Sequence, residues 1–327
     1  MTARRVLLLA HTGRDAAREV TLAFCKALTG QGLHVRMLDK EVAELELDPA
    51  SYDPPIELAG EVADAGADCE VAVVVGGDGS ILRAAEVTWS SGTPVLGVNL
   101  GHVGFLAEAE SDDVEATIEA IVQRTWTPED RLTLDVRAYR DGELVTQTFA
   151  LNEASVEKAA RERMIEVVVE IDGRPLSRWG CDGVVLSTPT GSTAYNFSAG
   201  GPVVWPGVEA LVVVPISAHA LFARPMVVAP DSVVAVEVIA RTDGAGVLWC
   251  DGRRAVDLPP GARIEVRRGD RPVRLARLHR GPFTDRLVAK FDLPVDGWRG
   301  SAERRRRAED RNEKPASGGP SSGGAGA

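Results

Sequence analysis

Short apolar runs alternate with longer segments of helical periodicity through residues 1–126. Runs with the length and the valine and leucine content of buried strands lie at 4–10, 33–39, 70–75 and 93–101. Apolar side chains recur near helical spacing at 13–30, 55–66 and 112–124. Because strands that alternate with helices form parallel sheets, the pattern predicts an α/β domain with a parallel sheet over residues 1–126.

The pattern changes near residue 127, where strand-like alternation replaces helical spacing. Runs rich in valine, threonine, leucine and arginine follow one another and are separated by turn residues. We predict a second domain, β-rich and sandwich-like, at 127–283. The segment 284–298 is expected to return and pack on the first domain. Residues 299–327 are charged and then rich in glycine, serine and proline, a composition that predicts a disordered tail.

Composition and charge narrow the class of protein. The 327 residues carry a net charge of −11, which argues against nucleic acid as the main partner. Cys25, Cys69, Cys181 and Cys250 are far apart and form no CxxC pair, as expected in a reducing compartment. The apolar run at 6–10 is too short for a signal peptide, and no stretch has the length of a membrane span. We therefore expect a cytoplasmic protein that binds neither membrane nor nucleic acid.

The segment 76–80, Gly-Gly-Asp-Gly-Ser, joins an apolar run to a helical pattern. A glycine turn that leads from a strand into a helix N-terminus is typical of phosphate binding, and its members here are Gly76, Gly77, Gly79 and Ser80. A phosphate would repel Asp78 unless this residue has a task. Two tasks suit it: holding Mg²⁺ beside phosphate oxygens, or taking a proton from an attacking hydroxyl. A helix cap is the alternative, and it accounts for Asp78 but not for the three glycines.

Two further segments carry polar side chains that suit a nucleotide. Asn152 and Glu153 can together grip a ribose diol, although a loop pair with local backbone bonds is the alternative. The segment 187–196, Ser-Thr-Pro-Thr-Gly-Ser-Thr-Ala-Tyr-Asn, offers small hydroxyl side chains without net charge. In and near it, Tyr195 can stack on a ring, and Asp182 can accept from an amine or a hydroxyl. The alternative for this segment is a flexible Ser/Thr loop.

Taken in this order, GGDGS, NE and GCDG followed by STPTGSTAYN resemble the NAD kinase family, and LGVNLGHVGFLAE at 96–108 is similar to that family's glycine-rich segment. The resemblance extends over residues 4–298. The combination is specific, whereas GGDG alone is shared with diacylglycerol-type lipid kinases and related phosphofructokinases.

The resemblance implies transfer of the γ-phosphate of ATP to the 2′-hydroxyl of the adenosine ribose of NAD, which gives NADP. Some bacterial members of the family also use polyphosphate as the donor. It implies an α/β N-terminal domain, a β-rich C-terminal domain and an active site in the cleft between them. A divalent metal ion, Mg²⁺, is expected to come with ATP rather than to occupy a fixed protein site. A homodimer or homotetramer is expected.

The resemblance also implies roles for individual residues. Asp78 matches the family's proton acceptor. The residues that match the NAD-binding set are Asp78, Gly79, Asn152, Glu153, Asp182, Thr193, Ala194, Tyr195, Asn196, Phe197 and Ser198. Arg83 and Arg163 are expected to contact phosphate, because an arginine fork suits a pyrophosphate.

The sequence departs from the family pattern at two positions. Ser80 stands where threonine is commoner, which keeps the hydroxyl, and Gly180 stands where some members have a basic residue. His219 and Arg224 lie in a family-like segment that we interpret as structural or as an oligomer contact. Asp251 lies either close to the site or simply in an Asp-Gly hairpin turn.

Two other functions compete with an NAD kinase. A lipid or small-alcohol kinase would share the GGDG turn, but it predicts an apolar pocket in the second domain rather than the Ser/Thr-rich segment found here. A non-catalytic NAD(P)-binding sensor would not need an acid in the glycine turn.

Overall fold

A computed structural model describes residues 3–100, 104–107, 109–110, 114–160, 163–240, 244–278 and 281–295 of the chain. Residues 1–283 form one compact unit, and a second unit begins at Thr284. Over the described ranges, no helix is both long enough and apolar enough to pass through a bilayer.

The described strands are β1 (Arg5–Ala10), β2 (His34–Leu38), β3 (Glu57–Ala59), β4 (Val71–Val75), β5 (Val95–Asn99), β6 (Ala109–Glu110), β7 (Thr127–Arg131), β8 (Leu134–Arg140), β9 (Glu143–Ala150), β10 (Glu153–Lys158), β11 (Ile165–Ile171), β12 (Arg174–Cys181), β13 (Gly183–Ser187), β14 (Leu211–Ile216), β15 (Met226–Val228), β16 (Val234–Val238), β17 (Gly246–Cys250), β18 (Arg254–Leu258), β19 (Arg263–Arg268) and β20 (Val273–Arg277). The α-helices are α1 (Asp15–Gly30), α2 (Asp39–Glu44), α3 (Asp78–Thr88), α4 (Val114–Gln123), α5 (Tyr195–Ser198) and α6 (Phe283–Phe291).

The first sheet has the order β3-β2-β1-β4-β5-β20-β7, with β6 beside β5. Strands β1 to β5 pair in parallel. The side chains of β4 and β5 are buried along the whole strand, which is why both read as continuous apolar runs. The strand order reverses between β1 and β4, and the crevice at such a reversal is where open α/β sheets bind ligands.

The helix predicted for residues 55–66 is wrong, because the structure has strand β3 at 57–59. Strand β3 pairs in parallel with β2, Arg36 opposite Glu57. The Glu57 carboxylate also pairs with Arg5 at 2.6 Å and with Arg36 at 3.3 Å. These tertiary contacts outweigh a helical spacing of apolar residues that has only a weak local preference behind it.

Two six-stranded antiparallel sheets form the β-rich part, in the orders β15-β14-β13-β10-β17-β18 and β12-β11-β16-β19-β8-β9. One buried cluster takes side chains from both sheets, with Trp179 fully buried in it, so the sheets pack face to face as a sandwich. The predicted fold class, an α/β part with a parallel sheet and a β-rich, sandwich-like part, is confirmed.

Two strands from the segment predicted as the second domain lie in the first sheet. Strand β20 pairs with β5 in parallel, and β7 pairs with β20 in the antiparallel sense. The predicted domain boundaries at 126/127 and 283/284 stay predictions, as does the packing of 284–298. Of that last segment, residues up to Phe291 are helical, in α6. The tail at 299–327 lies outside the described residues.

Candidate active site

The glycine turn lies at the carboxyl end of β4, beside the end of β1, where the strand order of the first sheet reverses. Gly77 is the N-cap of α3, and Asp78 is the first residue of this helix. A Cβ at Gly76 would overlap the hydroxymethyl group of Ser80, so the turn needs glycine there. Gly79 is exposed. The turn therefore presents free backbone N–H groups at a helix N-terminus, in the crevice of the sheet.

The carboxylate of Asp78 is held by the backbone of a neighbouring loop. The N–H groups of Phe105 and Leu106 donate to its two oxygens at 3.0 and 3.1 Å. A Cβ at Gly104 would overlap this carboxylate, so glycine is required for the approach. These two bonds orient the half-buried carboxylate, and each of its oxygens can still accept a further hydrogen bond or a proton.

A side chain of β20, the strand beside β5, supports the loop that holds Asp78. Arg277 of β20 is 6% exposed and donates to the carbonyl oxygen of Leu106 at 3.3 Å. Its guanidinium also pairs with Glu129 of β7 at 2.5 Å. The two strands that join the first sheet from the β-rich part thus support the loop next to Asp78.

Asn152 and Glu153 lie where β9 ends and β10 begins, and they are 8% and 7% exposed. Burial raises the pKa of Glu153 to about 8, and the negative charge of Asp251 adds to the effect. Among the described residues, Oε2 of Glu153 has no hydrogen-bond partner. A buried polar atom without a partner is costly, which points to a ligand at this position.

The Ser/Thr-rich segment is fastened to the Asn152 turn. Thr188 donates through its hydroxyl to the Leu151 carbonyl oxygen at 2.6 Å, and its N–H donates to the Asn152 carbonyl oxygen at 2.9 Å. A Cβ at Gly191 would overlap the backbone of Asn152. A hydrogen bond from the Tyr195 backbone reaches Glu153. The structure thus brings together two motifs that are about 40 residues apart in the sequence.

The other residues predicted in this segment differ in exposure. Thr193, Ala194 and Tyr195 are half-buried, whereas Phe197 and Ser198 are exposed. The side chain of Asn196 is fully buried, and its Nδ2 donates to the carbonyl oxygens of Ser192 at 3.1 Å and of Pro202 at 3.0 Å. The described contacts of Asn196 therefore hold the loop together.

Asp182 lies between β12 and β13, where the chain passes from one sheet of the sandwich to the other, and it forms an ion pair with Lys158 of β10 at 2.6 Å. The hydrogen bond from Lys158 lowers the pKa of Asp182. Next to Asp182, Gly180 forms an isolated bridge with His219, whose N–H donates to the Gly180 carbonyl oxygen at 2.8 Å.

The two predicted phosphate-binding arginines lie in different parts of the chain. Arg83 of α3 pairs with Glu41 at 2.5 Å and with Glu61 at 2.6 Å. Burial raises the pKa of Glu41 to about 7, and its Oε2 accepts from the Ala10 N–H at 3.0 Å. Arg163 is exposed in the connection between β10 and β11. Phosphate contacts from either arginine stay predictions.

Sequence reasoning missed the groups that orient the site from behind. Phe105 and Leu106 lie in the segment 96–108 that resembles the family's glycine-rich segment, but they act through backbone N–H groups, so side-chain chemistry does not mark them as partners of Asp78. Glu41 and Arg277 are buried charges far from any motif. Asp251 carried a signal of its own, because an aspartate precedes a glycine between two strand-like runs.

Known proteins are similar to this chain over most of its length. A model described as the ATP-NAD kinase N-terminal domain matches residues 6–126, and one described as the ATP-NAD kinase C-terminal domain matches residues 151–278. NAD kinase of Thermobifida fusca is 58% identical over 308 residues, covering 93% of this chain and 94% of that protein. NAD kinase 2 of Streptomyces coelicolor is 60% identical over 299 residues, covering 91% and 97%.

Two solved structures share the fold at 24% identity. Yeast NADH kinase complexed with NADH has a TM-score of 0.79 and covers 90% of this chain and 89% of its own. An NAD kinase from Archaeoglobus fulgidus in complex with ATP has a TM-score of 0.66 and covers 89% and 100%. A glycine turn in an α/β crevice beside a β-rich partner sheet, together with these relatives, defines the chain as a phosphotransferase. It belongs to the NAD kinase family.

Proposed function

We propose that this protein transfers the γ-phosphate of ATP, with Mg²⁺, to the 2′-hydroxyl of the adenosine ribose of NAD and so forms NADP. The observation that carries the proposal is the Asp78 carboxylate, which is held by two backbone N–H groups at the helix N-terminus of the glycine turn. A carboxylate in an anion-binding turn is explained if it accepts the proton of a hydroxyl that attacks the bound phosphate.

In the proposed reaction, Asp78 accepts the proton of the 2′-hydroxyl while the hydroxyl oxygen bonds to the γ-phosphorus. The bond between that phosphorus and the oxygen bridging it to the β-phosphate breaks, and ADP leaves. The N–H groups of the turn and the start of α3 stabilise the phosphate charge. Oriented in this way, Asp78 needs no rearrangement at the moment of proton transfer.

The expected divalent ion fits the groups at the turn. Over the described residues, no three His, Cys, Asp or Glu side chains are arranged to hold a metal. Mg²⁺ commonly takes one or two carboxylates, with substrate phosphates and water as the other ligands. Asp78 is the carboxylate in the turn and would lie beside a cation held by the phosphates of ATP, where the cation would neutralise phosphate charge.

NAD is proposed to bind where Glu153 and Asn152 meet the Ser/Thr-rich segment. Glu153 has a buried carboxyl oxygen ready for a ribose hydroxyl. Tyr195 and its neighbours Thr193 and Ala194 are partly accessible beside it, and Asp182 pairs with Lys158 at the far end of β10, the strand that begins at Glu153. The yeast neighbour is named for NADH and the archaeal one was solved with ATP, which supports a nicotinamide dinucleotide as acceptor and ATP as donor. Polyphosphate is the second donor to test.

We also propose a homo-oligomer in the cytoplasm. Leu221 and Phe222 are exposed in the connection between β14 and β15, and Val227 is exposed on the edge strand β15. Exposed apolar side chains at and near a sheet edge favour association with another chain. His219 and Arg224 lie in the same connection. The cysteines of the chain are free thiols, which supports a reducing compartment.

The test is NADP formation by the wild-type protein and by Asp78→Asn, with Mg²⁺-ATP and with polyphosphate as donors. Asparagine keeps the shape of the side chain but cannot take the proton, so kcat should fall by about 10²- to 10⁴-fold. NAD affinity and the circular dichroism spectrum should not change. Near-normal turnover in Asp78→Asn would show that Asp78 is not the general base. A wild-type protein that forms no NADP from either donor would refute the proposed function.

A further inference from the structure

Asp251 is a turn residue whose carboxylate is buried. It follows β17, and Asp251 and Gly252 have φ values of 54° and 63°. Two consecutive positive φ values are those of the Asn-Gly or Asp-Gly hairpin turn, here between β17 and β18. The turn accounts for the backbone, and asparagine would serve it as well as aspartate. It does not account for an aspartate that is only 5% exposed.

The carboxylate of Asp251 accepts from three consecutive backbone N–H groups of another part of the chain. Oδ2 accepts from Leu151 at 3.0 Å, and Oδ1 accepts from Asn152 at 2.7 Å and from Glu153 at 3.3 Å. An ionised carboxylate can only accept, and it has enough lone pairs for all three bonds. An asparagine amide would direct N–H donors at one side of this group, so the site requires aspartate.

Arg254 extends the contact to two other elements. Its guanidinium donates to Asp251 at 2.8 Å and lies 4.5 Å from the centre of the Phe149 ring, in β9. It also pairs with Glu86 at 3.2 Å. Glu86 belongs to α3, the helix that starts at Asp78. Asp251 and Arg254 thus connect the strand that carries Glu153 to the helix that carries Asp78.

We propose that Asp251 is a positioning residue of the dinucleotide site. It fixes the peptide groups of Asn152 and Glu153 so that both side chains are aimed at NAD, and it touches no substrate itself. This inference rests on the proposed function. Hydrogen bonds to a charged group are stronger than neutral ones, so three of them to one carboxylate hold the turn in a single conformation.

The experiment compares full-length Asp251→Asn with the wild type, varying NAD and Mg²⁺-ATP separately. Asparagine keeps the hairpin turn but loses part of the acceptor set. KM for NAD should rise about 10- to 100-fold, the range set by losing hydrogen bonds to a charged group. KM for ATP should stay within about twofold, because the substitution weakens contacts to NAD and leaves the contacts to ATP unchanged. Asp257→Asn is the matched control, since Asp257 is exposed on β18 of the same hairpin.

Arg254→Gln removes one partner of Asp251 and leaves the three hydrogen bonds from the backbone N–H groups of Leu151, Asn152 and Glu153. It should therefore raise KM for NAD by a smaller factor. If Asp251→Asn does not fold, Arg254→Gln decides the question: a wild-type KM for NAD overturns the proposal. An Asp251→Asn protein that folds and keeps the wild-type KM overturns it too, as does an equal rise in both KM values. Titration calorimetry with NAD tests the positioning role separately from the proposed function. If Asp251→Asn binds NAD more weakly than Asp257→Asn does, the positioning role is supported even if no NADP forms.

Discussion

Glu153 has one carboxyl oxygen that is buried without a hydrogen-bond partner among the described residues. Desolvation comes first among the causes that raise its pKa to about 8, followed by the charge of Asp251 and opposed by the Tyr195 backbone. The raised pKa favours the neutral carboxylic acid in the unliganded protein. Such a group can donate as well as accept, which suits a sugar hydroxyl that does both.

Glu153→Gln should change how stability depends on pH. The pKa of Glu153 is about 8 in the folded protein and near 4.5 when unfolded, so its stabilising effect is complete below about pH 4.5 and is lost as pH rises toward 8. Glutamine mimics the protonated acid at every pH. Relative to the variant, the wild type should lose a few kcal/mol in unfolding free energy between pH 5 and pH 8, measured by urea denaturation. Glu41, whose pKa is about 7, is present in both proteins and cancels in the difference. Parallel curves would contradict the raised pKa.

At the scale of elements, the candidate site is a meeting of turns, each held by the backbone of another. The N–H groups of 105 and 106 hold Asp78, those of 151 to 153 meet Asp251, and the carbonyl groups of 151 and 152 bind Thr188. The turns lie at the ends of strands whose own positions are set by buried apolar side chains. Rigid sheets therefore position the site, and small residues allow its turns to approach each other.

Gly191→Ala should break one of these approaches. The new methyl group would overlap the backbone of Asn152, which cannot move aside as a flexible side chain could. We expect a loss of about 2 to 4 kcal/mol in unfolding free energy, with weaker NAD binding. Gly207→Ala is the control, since a Cβ there would meet no neighbouring atom. Equal melting temperatures for the two variants would show that the close approach of Gly191 to Asn152 is not needed for stability.

Sequence patterns identified the elements whose signal is local. Strands β4 and β5 are uniformly apolar because they are buried on both faces, and α1 has helical spacing with a glycine at its end. The helix prediction for 55–66 is wrong because Glu57 gains its partners from β1 and β2, far away in the sequence. For the same reason the motifs identified Asp78 and Glu153 but not the contacts that hold them, which come from peptide groups and buried charges of other elements.

At the scale of the whole molecule, the proposed association surface is separate from the packed core. Leu221 is completely exposed, and Phe222 and Val227 are about half exposed, although all three are large apolar side chains. The connection that carries the first two is fixed, since Trp179 donates to the Phe222 carbonyl oxygen at 3.0 Å. An ordered apolar surface of this kind is an expected docking surface for a second copy of the chain.

Leu221→Glu combined with Phe222→Glu should reduce the oligomer to smaller species. Two charges on the surface would each have to be desolvated in an interface, which outweighs the apolar area they replace. Light scattering coupled to size-exclusion chromatography measures the molar mass of wild type and variant. Leu58→Glu, an exposed position on β3, is the control. A wild type with the mass of one chain would refute the oligomer.

The first sheet can be completed only late in the synthesis of the chain. Leu275 of β20 lies opposite Val95 of β5, and these residues are 180 positions apart (275 − 95). At ribosomal rates of about 5 to 20 residues per second, the β5 edge at Val95 waits roughly 10 to 40 s for its neighbour. During that time a nascent chain offers an open strand edge to other chains. A premature stop before Val273 would leave the edge open permanently, so its first consequence in the cell would be aggregation, before any question of lost chemistry arises.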